Sequence, residues 1–315
     1  MKDYASDLKP KFADANVTAD GSARAQVSLT HPETLWFNTG TLCNIECSNC
    51  YIASSPANDD LVYLSMADVE TYLDQLIERD WPVSEIGFTG GEPFMNPDVI
   101  KMIETSLKRG YQVLVLTNAM RPMMRPNIRA ALKRLQLEFG NKLTLRVSLD
   151  HYLPEVHDQE RGKGSFDIAL KGLIWLSENR LNVTIAGRIA FADTDGAARK
   201  GFDALFAKIG LSVNAFDPTE TVLFPEMQES IDVPEITTAC WTILNKSPND
   251  IMCASSRMIV KRKGAKSPSV LACTLIAYDK NFEMGPTLAA AEKSVSLNHP
   301  HCSKFCVLGG ASCSG

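Results

Sequence analysis

The sequence predicts an α/β fold followed by a smaller cysteine-rich region, and three observations lead there. From about residue 35 to 225, short apolar runs alternate with amphipathic stretches, which is the pattern of a βα repeat. Counting the strand before the first cysteines gives six βα units, two short of a closed eightfold barrel. The nine cysteines are placed unevenly: three fall between residues 43 and 50, none between 51 and 239, and six at or after Cys240. Two metal-binding regions flanking a scaffold account for that distribution.

The elements follow in order. A strand over 35–39 precedes the cysteines. Ser65 and Asp68 approximate a capping box, and Val69, Tyr72, Leu73, Leu76 and Ile77 are expected to make one apolar helix face. A strand over 85–89 leads to a helix that starts at Asp98 and closes at Gly110. Strands over 111–116, 143–149 and 182–190 then alternate with helices over 127–138, 166–178 and 197–209, and a last strand lies near 221–224. Residues 1–30 are polar and read as a peripheral cap or loose tail. The expected division is therefore 1–34 as an N-terminal extension, 35–225 as the βα scaffold and 226–315 as the cysteine-rich domain.

Bulk properties narrow the function. Apolar residues make up 45% and charged residues 22%, an ordinary globular balance. The formal charge of −5 argues against a dedicated nucleic-acid binder. No apolar run reaches the ~18 residues of a membrane span, and the first residues carry no apolar signal core, so a cytoplasmic protein is expected. Cysteines kept as thiols there serve metals or catalysis.

Cys43, Cys47 and Cys50 form a C-x3-C-x2-C run. Three thiolates so spaced hold three irons of a cubic [4Fe–4S] cluster and leave the fourth iron open for chemistry. A zinc site would pair C-x2-C with a second such pair or with histidines, yet the next cysteine is Cys240 and no histidine lies between residues 32 and 150. The spacing resembles the radical S-adenosylmethionine (SAM) superfamily. The resemblance implies a partial (β/α)6 barrel, whose strand ends face one mouth, and an open iron that chelates SAM. It also implies reductive cleavage of SAM to a 5′-deoxyadenosyl radical, which removes a hydrogen atom from substrate.

After the second strand comes Gly90-Gly91-Glu92-Pro93. Glycines allow close backbone approach, and a glutamate accepts from an ammonium group. The resembling family uses this element to hold the methionyl amino group of SAM; alone, such a tetrapeptide is a plain turn. The third strand ends in Thr117-Asn118 and the fourth in Ser148-Leu149-Asp150, which suits either strand-end capping or contacts to SAM. Arg161 and Arg188 are both candidates for the SAM carboxylate, since bidentate geometry favours arginine, and both suit structural ion pairs. The family often has an aromatic residue just before the last cluster cysteine; here Asn49 stands there, and Tyr51 follows Cys50.

Cys253, Cys273, Cys302, Cys306 and Cys313 lie beyond the βα repeat, with a β-hairpin expected between the first two, turning at the basic segment 261–264. This order resembles the SPASM/Twitch extensions of radical SAM enzymes, which hold auxiliary [4Fe–4S] clusters. The C-x2-C-x5-C block of the two-cluster form is absent, so one auxiliary cluster held by four of the five cysteines is expected. Cys253, Cys273, Cys302 and Cys306 lead, and Cys313 rivals them for the fourth place. Zinc is the alternative, because His299 and His301 adjoin Cys302. Cys240, in an apolar stretch, reads as core. The basic run Lys261, Arg262, Lys263 and Lys266 reads as a solvated turn or a dock for a ferredoxin- or flavodoxin-type electron donor.

An oxidative radical SAM reaction on a small-molecule or short peptide substrate is expected. The alternative is maturation of a ribosomally made peptide. The roughly thirty-four residues before the first strand are too few for a leader-binding winged-helix core, which favours the first. An iron–sulfur or zinc carrier is the non-enzymatic alternative.

Overall fold

The structure, a computed structural model, describes residues 10–189, 194–225 and 232–310. A two-residue strand β1 (Gln26–Val27) comes first. The six expected scaffold strands are β2 (Thr34–Asn38), β3 (Glu85–Thr89), β4 (Gln112–Thr117), β5 (Leu143–Ser148), β6 (Asn182–Arg188) and β7 (Thr221–Phe224). They are parallel and stand side by side in chain order. The connecting helices are α1 (Met66–Glu78), α2 (Val99–Lys108), α3 (Pro126–Phe139), α4 (Pro154–Arg161), α5 (Ser165–Glu178) and α6 (Asp195–Ile209).

Alternation along β2 sets the layers. Phe37 points outward, stacking on Phe88 and meeting Tyr72 of α1 edge-on. Trp36 points inward and occupies the space beside Gly87, where a Cβ would stand 2.3 Å from the indole. The capping box of α1 is present, with Ser65 accepting from Asp68 N and Asp68 accepting from Ser65 N. Ile77 departs from expectation. It is 65% exposed, because one residue step of about 100° carries it off the arc of Val69, Tyr72, Leu73 and Leu76. Helix α4 was not expected: His157 is its one buried residue, so it has no apolar stripe to reveal it.

A short helix α7 (Cys240–Ile243) precedes the expected hairpin, which is β8 (Ser256–Val260) and β9 (Ser269–Leu271). Strand β8 lies parallel beside β2, and β10 (Glu283–Gly285) pairs with β9, so one nine-stranded sheet runs from scaffold into hairpin. Strand β11 (Val295–Ser296) pairs with β1. Residues 10–30 are docked on the C-terminal region: Arg24 is buried in an ion pair with Glu235, and Ala25 N donates to Ile236 O at 2.9 Å. The expected boundary at residue 226 and the expected strand end at residue 190 lie outside the described residues, as do residues 1–9. Among the described residues no helix is long and apolar enough to cross a membrane.

Candidate active site

The C-terminal ends of the parallel strands open on one cleft of about 1150 Å³, its open mouth included. Cys43, Cys47 and Cys50 line it, together with Gly90, Gly91, Asn118, Ser148, Asp150, Arg161 and Arg188. Of the residues expected beside SAM, only Glu92 and Pro93 stand behind the wall.

The glycines explain how the cysteine loop is seated. Gly91 N donates to Gly40 O at 2.8 Å and Glu92 N to Leu42 O at 3.2 Å, strapping the turn after β3 to the backbone just before Cys43. A Cβ on Gly91 would lie 2.3 Å from Leu42 O, and one on Gly90, whose φ is +137°, 2.5 Å from Gly40 O. Glu92 is buried, and its carboxylate accepts from Thr117 Oγ1 at 2.9 and 3.1 Å, Asn118 N at 2.9 Å and Phe94 N at 3.2 Å. Burial pushes its pKa up to about 7 against the pull of those donors. Its oxygens are thus committed to the neighbouring strand end, where they fix Asn118. Asn118 Nδ2 in turn donates to Asn44 Oδ1 at 3.0 Å.

The two arginines separate. Arg161 grips Asp150 bidentately, Nε to Oδ2 at 2.7 Å and Nη2 to Oδ1 at 2.9 Å. Burial would raise the Asp150 carboxyl, but Arg161 and then Arg188 outweigh it and hold it below its ordinary range. Arg188 Nε stands 3.6 Å from Asp150, Nη2 donates to Asn49 O at 2.9 Å, and the guanidinium lies 5.1 Å from the Tyr51 ring centroid. Its Nη1 is buried with no partner among the described residues. That donor on the cleft wall suits an anionic group, whereas the fork of Arg161 is taken by Asp150.

Burial pushes the Cys43 thiol up to about 12, with Glu92 and the neighbouring thiols adding to the rise. Burial also raises Cys47, against Arg161. Such thiols resist ionisation on their own, and a metal that replaces the protons supplies the missing positive charge. Glu160 of α4 holds the same loop from outside: its carbonyl accepts from Ser48 N at 2.9 Å and its carboxylate from Asn49 Nδ2 at 2.6 Å.

The expected second set also converges. Cys253, Cys273, Cys302 and Cys306 line one small cavity with His301 and apolar side chains. The last two sit on a π-helix, Cys302–Leu308. Burial raises the Cys302 thiol well above its ordinary value, and Cys253 and Cys273 raise it further. Cys313 lies outside the described residues. Cys240 is partly buried against the core, as expected. Among the described residues no three His, Cys, Asp or Glu gather closely enough to hold a single metal ion; thiolates on a cubane are spread over separate irons. Of the basic run, Lys261, Arg262 and Lys263 pair with Asp68, Glu283 and Asp59 at 3.0, 2.8 and 2.8 Å, which fits the reading as a turn.

The sequence reading missed Glu160, Arg146, Arg257 and Leu275. Arg146 and Arg257 were visible as lone charges inside apolar strands, and both are buried. Arg146 lines the cleft. Leu275 lines both cavities, and nothing in its neighbourhood announced that.

Comparison with known proteins gives three kinds of finding. The family described as the Radical SAM superfamily matches residues 37–194. The bacteriocin subtilosin biosynthesis protein AlbA of Bacillus subtilis is 34% identical over 145 residues, 46% of this chain and 30% of AlbA. The mycofactocin maturase MftC of Mycolicibacterium smegmatis is 31% identical over 149 residues, 47% of this chain and 35% of MftC. The aligned part therefore spans about a third of those relatives. Among solved structures, Streptococcus suis SuiB bound to S-adenosylmethionine superposes with a TM-score of 0.58 at 13% identity, covering 84% of this chain and 64% of SuiB.

Proposed function

The chain belongs to the radical SAM superfamily, and from that premise we propose that it oxidises a small-molecule substrate by hydrogen-atom abstraction, assisted by an auxiliary site. Cys43, Cys47 and Cys50 are the ligands of the [4Fe–4S] cluster with the open iron, and Cys253, Cys273, Cys302 and Cys306 those of the auxiliary cluster. When bound, these groups supply electron transfer, one giving an electron to SAM and the other a place for the substrate's second electron.

The chain's own residues do the rest. Arg188 Nη1 meets the SAM carboxylate, while Asp150 and Arg161 hold that arginine's surroundings rigid. Gly90 and Gly91 present backbone at the wall, and Glu92, behind it, fixes Asn118 in the lining. Trp36, Leu116, Ala186, Phe224 and Leu275 give the wall an apolar part, which limits the access of water to a reactive radical. SAM held there would supply, on one-electron reductive cleavage, a radical able to take a hydrogen atom from the substrate, and the substrate would give up its second electron with a proton.

One observation carries the oxidative reading. Cys273 faces the second cavity, Thr274 faces the cleft and Leu275 lines both, so three consecutive residues separate the two cysteine sets. Peptide maturation is the second reading, favoured by the maturase MftC and by SuiB having been solved with the precursor peptide SuiA. The eight free thiols of the described residues support a reducing, cytoplasmic setting, with a ferredoxin- or flavodoxin-type donor. Anaerobic reconstitution with dithionite tests the core of the proposal. The native chain forms 5′-deoxyadenosine from SAM, and the Cys43→Ala, Cys47→Ala, Cys50→Ala variant forms none. Cleavage retained by that variant rejects the ligand assignment.

A further inference from the structure

Arg257 is among the largest fully buried side chains of the protein, and its position follows from the hairpin. It stands on β8, one residue after the strand begins, with the Cys253 turn immediately upstream. Three backbone carbonyls hold most of its fork. Nε donates to Ala291 O at 2.9 Å, and Nη1 donates to Cys253 O at 2.6 Å and Ser256 O at 2.8 Å. Nη2 is buried and has no partner among the described residues. Among the described residues no carboxylate pairs with this guanidinium.

A buried guanidinium without a carboxylate is costly unless something anionic balances it. Arg257 Nη1 already bonds the carbonyl of Cys253, a residue that lines the second cavity with Cys273, Cys302 and Cys306. We propose that Arg257 is a positioning residue of the auxiliary site, its free Nη2–H aimed at the sulfur-rich anion held by Cys253, Cys273, Cys302 and Cys306. This rests on the reading that those cysteines hold an iron–sulfur cluster. An adjacent positive charge and a hydrogen bond to sulfur both favour the reduced, more negative state, so Arg257 raises the reduction potential of the site. The site then accepts an electron more readily, in line with an oxidative reaction. The carbonyl contacts have a second consequence: they fix the Cys253 turn against β8, so the charge and the ligand move together.

The test is an anaerobic redox titration of the full reconstituted chain followed by electron paramagnetic resonance, with SAM added to mark the signal belonging to the Cys43 site. Arg257→Gln removes the charge, and Arg257→Lys keeps it without the planar fork. The auxiliary signal should titrate at a lower potential in Arg257→Gln by at least a tenfold change in the reduction equilibrium, about 59 mV for a one-electron couple, and recover in part in Arg257→Lys. An assembled auxiliary cluster with unchanged potential in Arg257→Gln overturns the proposal. Native protein labelled with ¹⁵N-arginine needs no stable variant: its reduced auxiliary signal should carry a nitrogen hyperfine coupling, and the absence of that coupling also overturns it. Native protein that reconstitutes without any sulfide at the C-terminal site instead rejects the underlying cluster reading.

Discussion

Gly91→Ala is the sharpest single perturbation of the cleft. Gly91 is not among the glycines with positive φ, so alanine meets no backbone strain there, and the whole effect is close approach. The added Cβ would stand 2.3 Å from Leu42 O, 2.6 Å from Leu42 C and 2.7 Å from Thr41 O. All three are backbone atoms, so no side chain can rotate away. Either the turn or the cysteine loop must shift, and the bonds from Gly91 N and Glu92 N to Gly40 O and Leu42 O go with it. Overpacking costs roughly 1–3 kcal/mol and each lost bond about 0.5–1.5, which together is about 2–6 kcal/mol. That is a large part of a typical fold's stability, and it falls on the loop bearing Cys43. Gly196→Ala is the control, since its Cβ meets nothing within 4 Å in the first turn of α6; it should be neutral or stabilising by about 0.5–1 kcal/mol. Denaturant unfolding and iron content after reconstitution are the assays. A Gly91→Ala protein that unfolds like the native chain and carries its full iron at the Cys43 site would refute the strap.

Asp150→Asn leaves Arg161 and Arg188 buried beside a neutral amide, and breaking such a pair costs about 3–5 kcal/mol. Because the Asp150 carboxyl titrates below 3.8 in the fold, the native chain keeps this contribution above that value and loses it as pH falls further, so the difference between native and Asn proteins should shrink in acid. The Cys43→Ala, Cys47→Ala, Cys50→Ala variant should still bind about four irons and four sulfides. One zinc without sulfide in that variant would reject the auxiliary cluster.

What was legible in the sequence followed from periodicity and spacing. The six parallel strands, the capping box at Ser65 and the hairpin from Ser256 to Leu271 all announce themselves through alternation, caps and turn residues. That the cysteines fall into two sets, each lining one cavity, was legible from their grouping along the chain. What escaped was long-range or polar. Helix α4 lacks an apolar stripe, yet it supplies Glu160 and Arg161 to the site. The pairing of β8 with β2 joins segments more than two hundred residues apart, and no local pattern encodes a partner. The role of Glu92 was legible only as chemistry; that its donors are Thr117, Asn118 and Phe94 depends on strand order.

The inverted order of Asn49 and Tyr51 around Cys50 now has a physical account. Asn49, where relatives of this family often carry an aromatic ring, uses its side chain to reach Glu160 and its carbonyl to accept from Arg188. An aromatic residue there keeps the carbonyl but forfeits the amide bond to α4. Tyr51, on the other side of the cysteine, has one face toward the Arg188 guanidinium and an edge contact to Phe305 at 6.4 Å. Phe305 sits between Cys302 and Cys306 on the π-helix and packs at 5.3 Å against Phe224 at the end of β7. One aromatic array thus touches the first cysteine loop, the arginine favoured for SAM and the helix carrying two cysteines of the second set. The two cavities are held in fixed relation by packing, which relaxes only when several neighbours move at once. The aromatic after Cys50 thus makes one continuous contact from the first cysteine loop to the helix that carries Cys302 and Cys306.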